Sequence, residues 1–146
     1  MNIEIPSADD FEDLAFKTMR HGKKYKKNVG FSGRRFRSWF GTDPLIVQLI
    51  WRMLYESHWL FKGYFAKPIH LLWSLHFLKN YETESENASI YGSFDEKTVR
   101  KWVWFYIQGI SELASKVVSL FESKVSFIYL RKISKHILLI KNIDKI

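Results

Sequence analysis

The sequence predicts an all-α fold: a small helical bundle containing a helix-turn-helix (tri-helical) unit, with a C-terminal tail that is either helical or poorly ordered. Three observations predict it. Apolar residues recur at helical spacing in successive segments, notably 44–56, 68–81 and 95–113. These segments are bracketed by start and stop signals: Asp43-Pro44, Lys67-Pro68 and Thr83 with Glu86 at beginnings, Gly41 and Gly92 at ends. The chain of 146 residues is one domain's worth, and 47% hydrophobic with 17% aromatic content is enough to build a core. Charge and composition divide it into an acidic then basic N-terminal arm (1–30), a helical body (31–121) and a basic C-terminal tail (122–146).

In the arm, Glu4, Asp9, Asp10, Glu12 and Asp13 come first, and a short helix is expected to open after Ser7. Residues 17–37 reverse the sign: Lys17, Arg20, Lys23, Lys24, Lys26, Lys27, Arg34, Arg35 and Arg37 occur there without a carboxylate. Gly22, Gly30 and Gly33 interrupt the stretch, so its middle reads as a mobile loop. Such an arm can lie along phosphates, act as a nuclear localisation signal, or simply keep the chain soluble.

Residues 31–40 are expected to form a short helix with Phe36, Trp39 and Phe40 inward, ended by Gly41. Asp43 then supplies an N-cap and Pro44 the first helical position. The helix that follows turns Ile46, Val47, Leu49, Ile50, Met53 and Leu54 inward and leaves Gln48, Arg52 and Glu56 to solvent. An aromatic-rich connector, 58–65, leads to a helix opened by Pro68. There Ile69, Leu71, Leu72, Trp73, Leu75, Phe77 and Leu78 surround nearly the whole circumference, the pattern of a helix buried at a bundle's centre.

The helix-turn-helix is read over residues 83–113. Thr83 and Glu86 have the spacing of a capping box. The short helix runs through Ala88, Ile90 and Tyr91 and stops at Gly92. The second helix starts either at Ser93, with Glu96 completing a second box, or at Asp95 as a lone N-cap. Val99, Trp102, Val103, Tyr106, Ile110 and Leu113 fall on one stripe, and Lys97, Arg100 and Lys101 fall off it near the N-terminus. That end of the second helix is where helix-turn-helix proteins meet base edges. Ala88 to Gly92 has the Ala-x-x-x-Gly spacing of such motifs, although the turn before Val99 is one residue longer than the tightest type. Two helices joined by a glycine turn also occur in all-α proteins that never touch DNA.

The net charge of +8 and pI near 9.6 favour a polyanionic partner, nucleic acid before anionic membrane. With no cysteine there is no disulfide frame, thiolate metal site or thiol nucleophile. His70 and His76, six residues apart, do not share a face as a metal pair at i and i+4 would. Asp95 and Glu96 sit at a helix start, where acids cap. The expectation is therefore no enzyme, no catalytic residues, no metal and no cofactor. The first ten residues lack the layout of a secretory signal, and the longest apolar run, 45–61, is broken by Arg52, Glu56 and His58. A nuclear or otherwise intracellular protein with no membrane partner is expected.

Three strings carry a resemblance: RRFRSWFGTDP (Arg34 to Pro44), PIHLLWSLHFLKNYETE (Pro68 to Glu84) and FDEKTVRKWVWFYI (Phe94 to Ile107). In this order and spacing they resemble the N-terminal region of DDE-type transposases of the PIF/Harbinger-like group, in which a helical region with a helix-turn-helix precedes an RNase H-like catalytic domain. The resemblance covers 34–113 and implies that this part recognises double-stranded DNA, such as transposon ends. By position it carries that role to Lys97, Thr98, Arg100 and Lys101. Ser93 at the turn, and Arg34, Arg35 and Arg37 as phosphate contacts, complete the expected DNA-binding set.

The departures from that family are equally specific. Beyond Leu113 the only acids are Glu122 and Asp144, too few for the carboxylates that hold two metal ions in a DDE enzyme. The expected protein is thus a recognition domain truncated before its catalytic half. The Ile/Lys-rich remainder resembles translation past a frameshift and is read as non-native tail, or as a basic amphipathic helix packing on the bundle, a phosphate backbone or a membrane surface. The alternatives are a protein–protein module with a protein partner or a second copy of the chain, which the off-stripe Trp104 and Phe105 would suit, and a transposon remnant without function.

Overall fold

The structure is a computed structural model, and it describes residues 3–19, 29–63, 66–92 and 95–113. Among these are six α-helices, a single 3-10 turn and no strand, as an all-α class requires. The middle of the basic stretch (20–28), Ser93 and the C-terminal residues 114–146 lie outside the described residues, and with them the readings of loop, second capping box and tail.

Helix α1, Ala8–Met19, starts on a reciprocal box. The Ser7 N–H donates to Asp10 Oδ2 at 2.8 Å and the Asp10 N–H to Ser7 Oγ at 3.1 Å, satisfying two donors that a helix start leaves open. Segment 1–30 was expected to be an arm. Yet α1 buries Phe11, Ala15 and Phe16, with the Phe11 ring edge on Trp51 and Phe16 on Trp39. Its apolar residues at i, i+4 and i+5 are a core-facing stripe hidden in an acidic run.

Helix α2, Val29–Phe40, begins ahead of the expected start and passes through Gly30 and Gly33, which do not interrupt it. Phe36 and Phe40 are fully buried and Trp39 half-buried, as the spacing predicts. Gly41 ends the helix, its N–H closing on the Arg37 carbonyl at 2.8 Å.

Helix α3, Pro44–Glu56, has Asp43 at the N-cap and proline at the first position. The Asp43 carboxylate makes no capping bond; it accepts from Arg37 Nη1 at 2.7 Å, tying the end of α2 to the start of α3. Ile46, Val47, Ile50 and Leu54 are buried as expected, but so is Trp51, which the single-stripe reading left unassigned. α3 is covered by α1, α4 and α6 together, so its apolar face is wider than one partner would make it. The connector contains a 3-10 turn, Trp59–Lys62, entered through a left-handed His58 (φ 61°).

Helix α4, Pro68–Asn80, is the centre of the bundle and packs against α1, α2, α3 and α6. Its unbroken run from His70 to His76 is buried, which explains why it is apolar all round. Burying a leucine of this kind stabilises by about 1.5–3 kcal/mol, so Leu71, Leu72, Leu75 and Leu78 together are a major part of the core. Polar bonds fix its register. Asn80 Nδ2 donates to the Trp39 carbonyl on α2 at 3.1 Å, and the Tyr106 hydroxyl donates to the Lys67 carbonyl at 3.1 Å.

Helices α5, Glu84–Ile90, and α6, Glu96–Glu112, complete the described fold. The predicted Thr83 box is present in full: the Glu86 N–H donates to Thr83 Oγ1 at 3.3 Å and the Thr83 N–H to Glu86 Oε2 at 2.9 Å. Gly92 follows Tyr91 with φ 102°, a conformation in which any side chain would be strained. α6 starts from Asp95, which accepts the Thr98 N–H at 3.2 Å. α5 packs on α6, and α6 lies against α4.

Candidate nucleic-acid interface

The first turns of α6 separate the two kinds of residue that the sequence pattern distinguishes. Val99, Trp102, Val103, Tyr106 and Ile110 are buried against the bundle. Lys97, Thr98, Arg100 and Lys101 are all exposed. Thr98 is also part of the cap, its hydroxyl 3.4 Å from Asp95 Oδ2. The Lys101 ammonium lies over the Trp102 ring, 4.8 Å from its centroid, which holds that charge close to the helix surface.

Arg34, Arg35 and Arg37 form a second basic group, on α2. Arg35 stands over Trp39 at 5.9 Å, and Arg37 is committed to Asp43. α2 packs on α1 and α4, whereas α6 packs on α3, α4 and α5. The two basic groups therefore ride on separate helices with α4 as common support.

The turn between α5 and α6 is held by a buried polar group that sequence reading missed. The Tyr91 ring stacks on Trp73 (5.1 Å, 13°), and its hydroxyl donates to the Trp73 carbonyl at 3.1 Å. The same hydroxyl lies 2.9 Å from His76 Nδ1, a contact whose direction is set by the imidazole tautomer, and 3.4 Å from Asn87 Oδ1. Burial pushes the Tyr91 phenol above its usual range and, with a smaller contribution from Glu82, keeps it un-ionised. Glu82 Oε2 lies 3.7 Å from the same imidazole nitrogen, and its carboxyl is raised by burial and then by Glu86.

His70 is the second buried imidazole, 7% exposed and stacked on Trp102 (4.4 Å, 12°). Its Nδ1 accepts the Lys67 N–H at 3.3 Å. Burial, then the charges of Lys67 and Lys101, push its pKa down to about 3. His76 is also lowered, by burial first, with Asn87 partly offsetting. Among the described residues no three His, Asp or Glu side chains gather as a metal ion would need. No helix of the described residues is long and apolar enough to cross a membrane.

Below pH 6.5 the unfolded chain takes up a proton at His70 that the folded chain refuses until about pH 3. Stability is therefore lost as pH falls through that window, with a slope of at most about 1.4 kcal/mol per pH unit from this residue. His76 adds in the same sense; Glu82, with its raised pKa, works oppositely in the range just above pH 4.5. Denaturant unfolding measured between pH 7 and 5 should show His70→Gln flattening the slope. An unchanged slope would mean His70 is not held neutral.

Compared with known protein families, curated proteins and solved structures, the chain finds no match in any of the three. The resemblance to transposases rests on its three strings alone.

Proposed function

We propose that this chain is a DNA-binding domain of transposase ancestry, in which α5 and α6 act as a helix-turn-helix and the first turns of α6 enter the major groove. The observation that supports this reading is the α6 N-terminal surface. Lys97, Thr98, Arg100 and Lys101 stand exposed on two adjoining turns of a helix whose opposite face is locked into the core. A rigid helix presenting cations and a hydroxyl at its N-terminal end has the form needed to read base edges while a net charge of +8 supplies sequence-independent attraction. Arg34 and Arg35 on α2 would add phosphate contacts, and a nuclear location would follow from the role.

A selection from random duplexes tests it. Wild type should enrich a defined sequence, and Arg100→Ala/Lys101→Ala should lose about 1–3 kcal/mol for each base contact removed. The double variant should also show a shallower dependence of affinity on salt, because fewer counterions are released. Equal, weak enrichment by both proteins would remove α6 as the reading helix.

A second reading, a protein-docking module, has one observation in its favour. Trp104 is 39% exposed on α6, tilted against Phe77. Phe105, paired with it in the sequence, does not share that exposure: it is half-buried against Trp59 and Tyr106.

A further inference from the structure

A cleft of about 280 Å³ opens between the last turn of α1, the first turn of α4 and the α5–α6 turn. Lys17 and Thr18, Lys67 with Ile69 and His70, and Tyr91 with Gly92 contribute to its lining. The volume is at the small end of ligand sites, and among the described residues lining it none is acidic. Two lysines, one on α1 and one at the N-cap of α4, thus line one concave space that neither element forms alone.

The donors in that space are of the kind an anion needs. His70 is more than nine-tenths buried, and its Nδ1 is already an acceptor for the Lys67 N–H. A neutral imidazole used that way carries its proton on Nε2, which is left as a donor. Among the described residues no acceptor meets that Nε2–H. In the first turn of α4, Pro68 has no N–H and the His70 N–H closes on the Lys67 carbonyl at 3.0 Å. That leaves the Ile69 N–H without an intrahelical carbonyl to reach. The Thr18 hydroxyl, by contrast, is spent on the Leu14 carbonyl at 2.8 Å. The lining thus brings together a histidine with a ring donor, a first-turn main-chain donor and two lysines, with no carboxylate among its described residues.

We propose that this cleft is an anion site that takes a phosphate group, held by the Lys17 and Lys67 ammonium groups with His70 Nε2–H and the Ile69 N–H as directional donors. The site stands on the cleft itself and does not need the DNA reading. The Trp102 and Trp73 rings hold the His70 ring in place, which makes Nε2–H an oriented donor. Such a phosphate has two sources, a small phosphomonoester or a DNA backbone or end.

The full chain is titrated with inorganic phosphate and with adenosine 5′-monophosphate, following the His70 ring resonances by NMR and heat by calorimetry. Saturable binding with a shift of the His70 ring is expected. Lys17→Ala and Lys67→Ala, both on exposed side chains, should each weaken it about tenfold while leaving the circular dichroism unchanged. Absence of a saturable His70 shift, or equal binding by the double lysine variant, overturns the site. Short duplexes with and without 5′-phosphates form the other arm. Displacement of the monophosphate by duplex assigns the site to DNA phosphate, and simultaneous binding assigns it to a small ligand. A duplex that does not bind at all sinks the DNA reading while leaving the anion site in place.

Discussion

Gly109→Ala destabilises the fold by about 1–3 kcal/mol, although helix propensity alone predicts a gain of about 1 kcal/mol from removing a mid-helix glycine. The two effects oppose each other, and geometry decides between them. A Cβ at this position would overlap Trp59 Nε1 and stand 2.5 Å from Trp59 Cδ1 and 2.9 Å from Leu54 Cδ2. Trp59 has little freedom to withdraw. Its Nε1–H donates to the Phe105 carbonyl at 3.1 Å, its ring packs 5.4 Å from Phe105, and Lys62 Nζ lies over its outer face at 4.6 Å. The indole thus reaches the α6 backbone through the groove left by the absent Cβ. Gly109→Val, with two more methyl groups in the same place, should exceed about 3 kcal/mol. Denaturant midpoints measure both. The decisive control is Trp59→Leu: in that background the alanine should become neutral or mildly stabilising, because the coupled pair is no longer in conflict. An alanine penalty of the same size in both backgrounds would place the strain elsewhere.

That contact also marks the limit of what the sequence made legible. Features whose partners lie within a turn or two were readable: Thr83 with Glu86, Asp43 ahead of Pro44, and the stop at Gly92 all involve groups within three residues of each other. The unbroken apolar surface of α4 was readable too, because being covered by neighbours on several sides leaves no polar stripe to interrupt the pattern. The choice between Ser93 and Asp95 as the start of α6 was left open, since both spacings are chemically sound; in the structure Asp95 takes the Thr98 N–H. What could not be read were pairings made by the fold. Trp59 with Gly109, Tyr91 with Trp73 and His76, and Lys17 with Lys67 and His70 join residues from different helices. The helix opening after Ser7 was legible, but its burial was not: Glu12 and Asp13 stand between Phe11 and the pair Ala15 and Phe16, and Lys17 follows, so charge masks the stripe. The exposed cations of α6 were legible as off-stripe positions, while the cleft was not, because its lining joins Lys17 and Thr18 of α1 to α4 and the end of α5.

Tyr91→Ala should cost about 3–5 kcal/mol and Tyr91→Phe about 1–3 kcal/mol, and the difference between them separates packing from hydrogen bonding. Phenylalanine keeps the ring stacked on Trp73 and the edge contact with His76 (5.5 Å, 79°) but removes the hydroxyl. That hydroxyl contacts the Trp73 carbonyl, His76 Nδ1 and Asn87 Oδ1 at once, and all three residues are buried. His76 would then be left with Glu82 Oε2 at 3.7 Å, too long for a neutral hydrogen bond. The Asn87 side chain remains beside His76, and the loss includes the desolvation of the buried group that the hydroxyl leaves unpaired. One compensation is open: protonating His76 would strengthen its attraction to Glu82. Histidine NMR of Tyr91→Phe reads the lost contact independently of unfolding: the His76 pKa rises if the hydroxyl donated to Nδ1 and falls further if it accepted from Nδ1–H. Tyr91 closes α5 and stands one residue before the left-handed Gly92, so its loosening falls on the hinge that sets α5 against α6. Hydrogen exchange should accelerate in α5 before it does so in α4, whose carbonyls and side chains remain covered on the other faces. Uniform acceleration across both helices would mean that Tyr91 supports the core at large and not the turn.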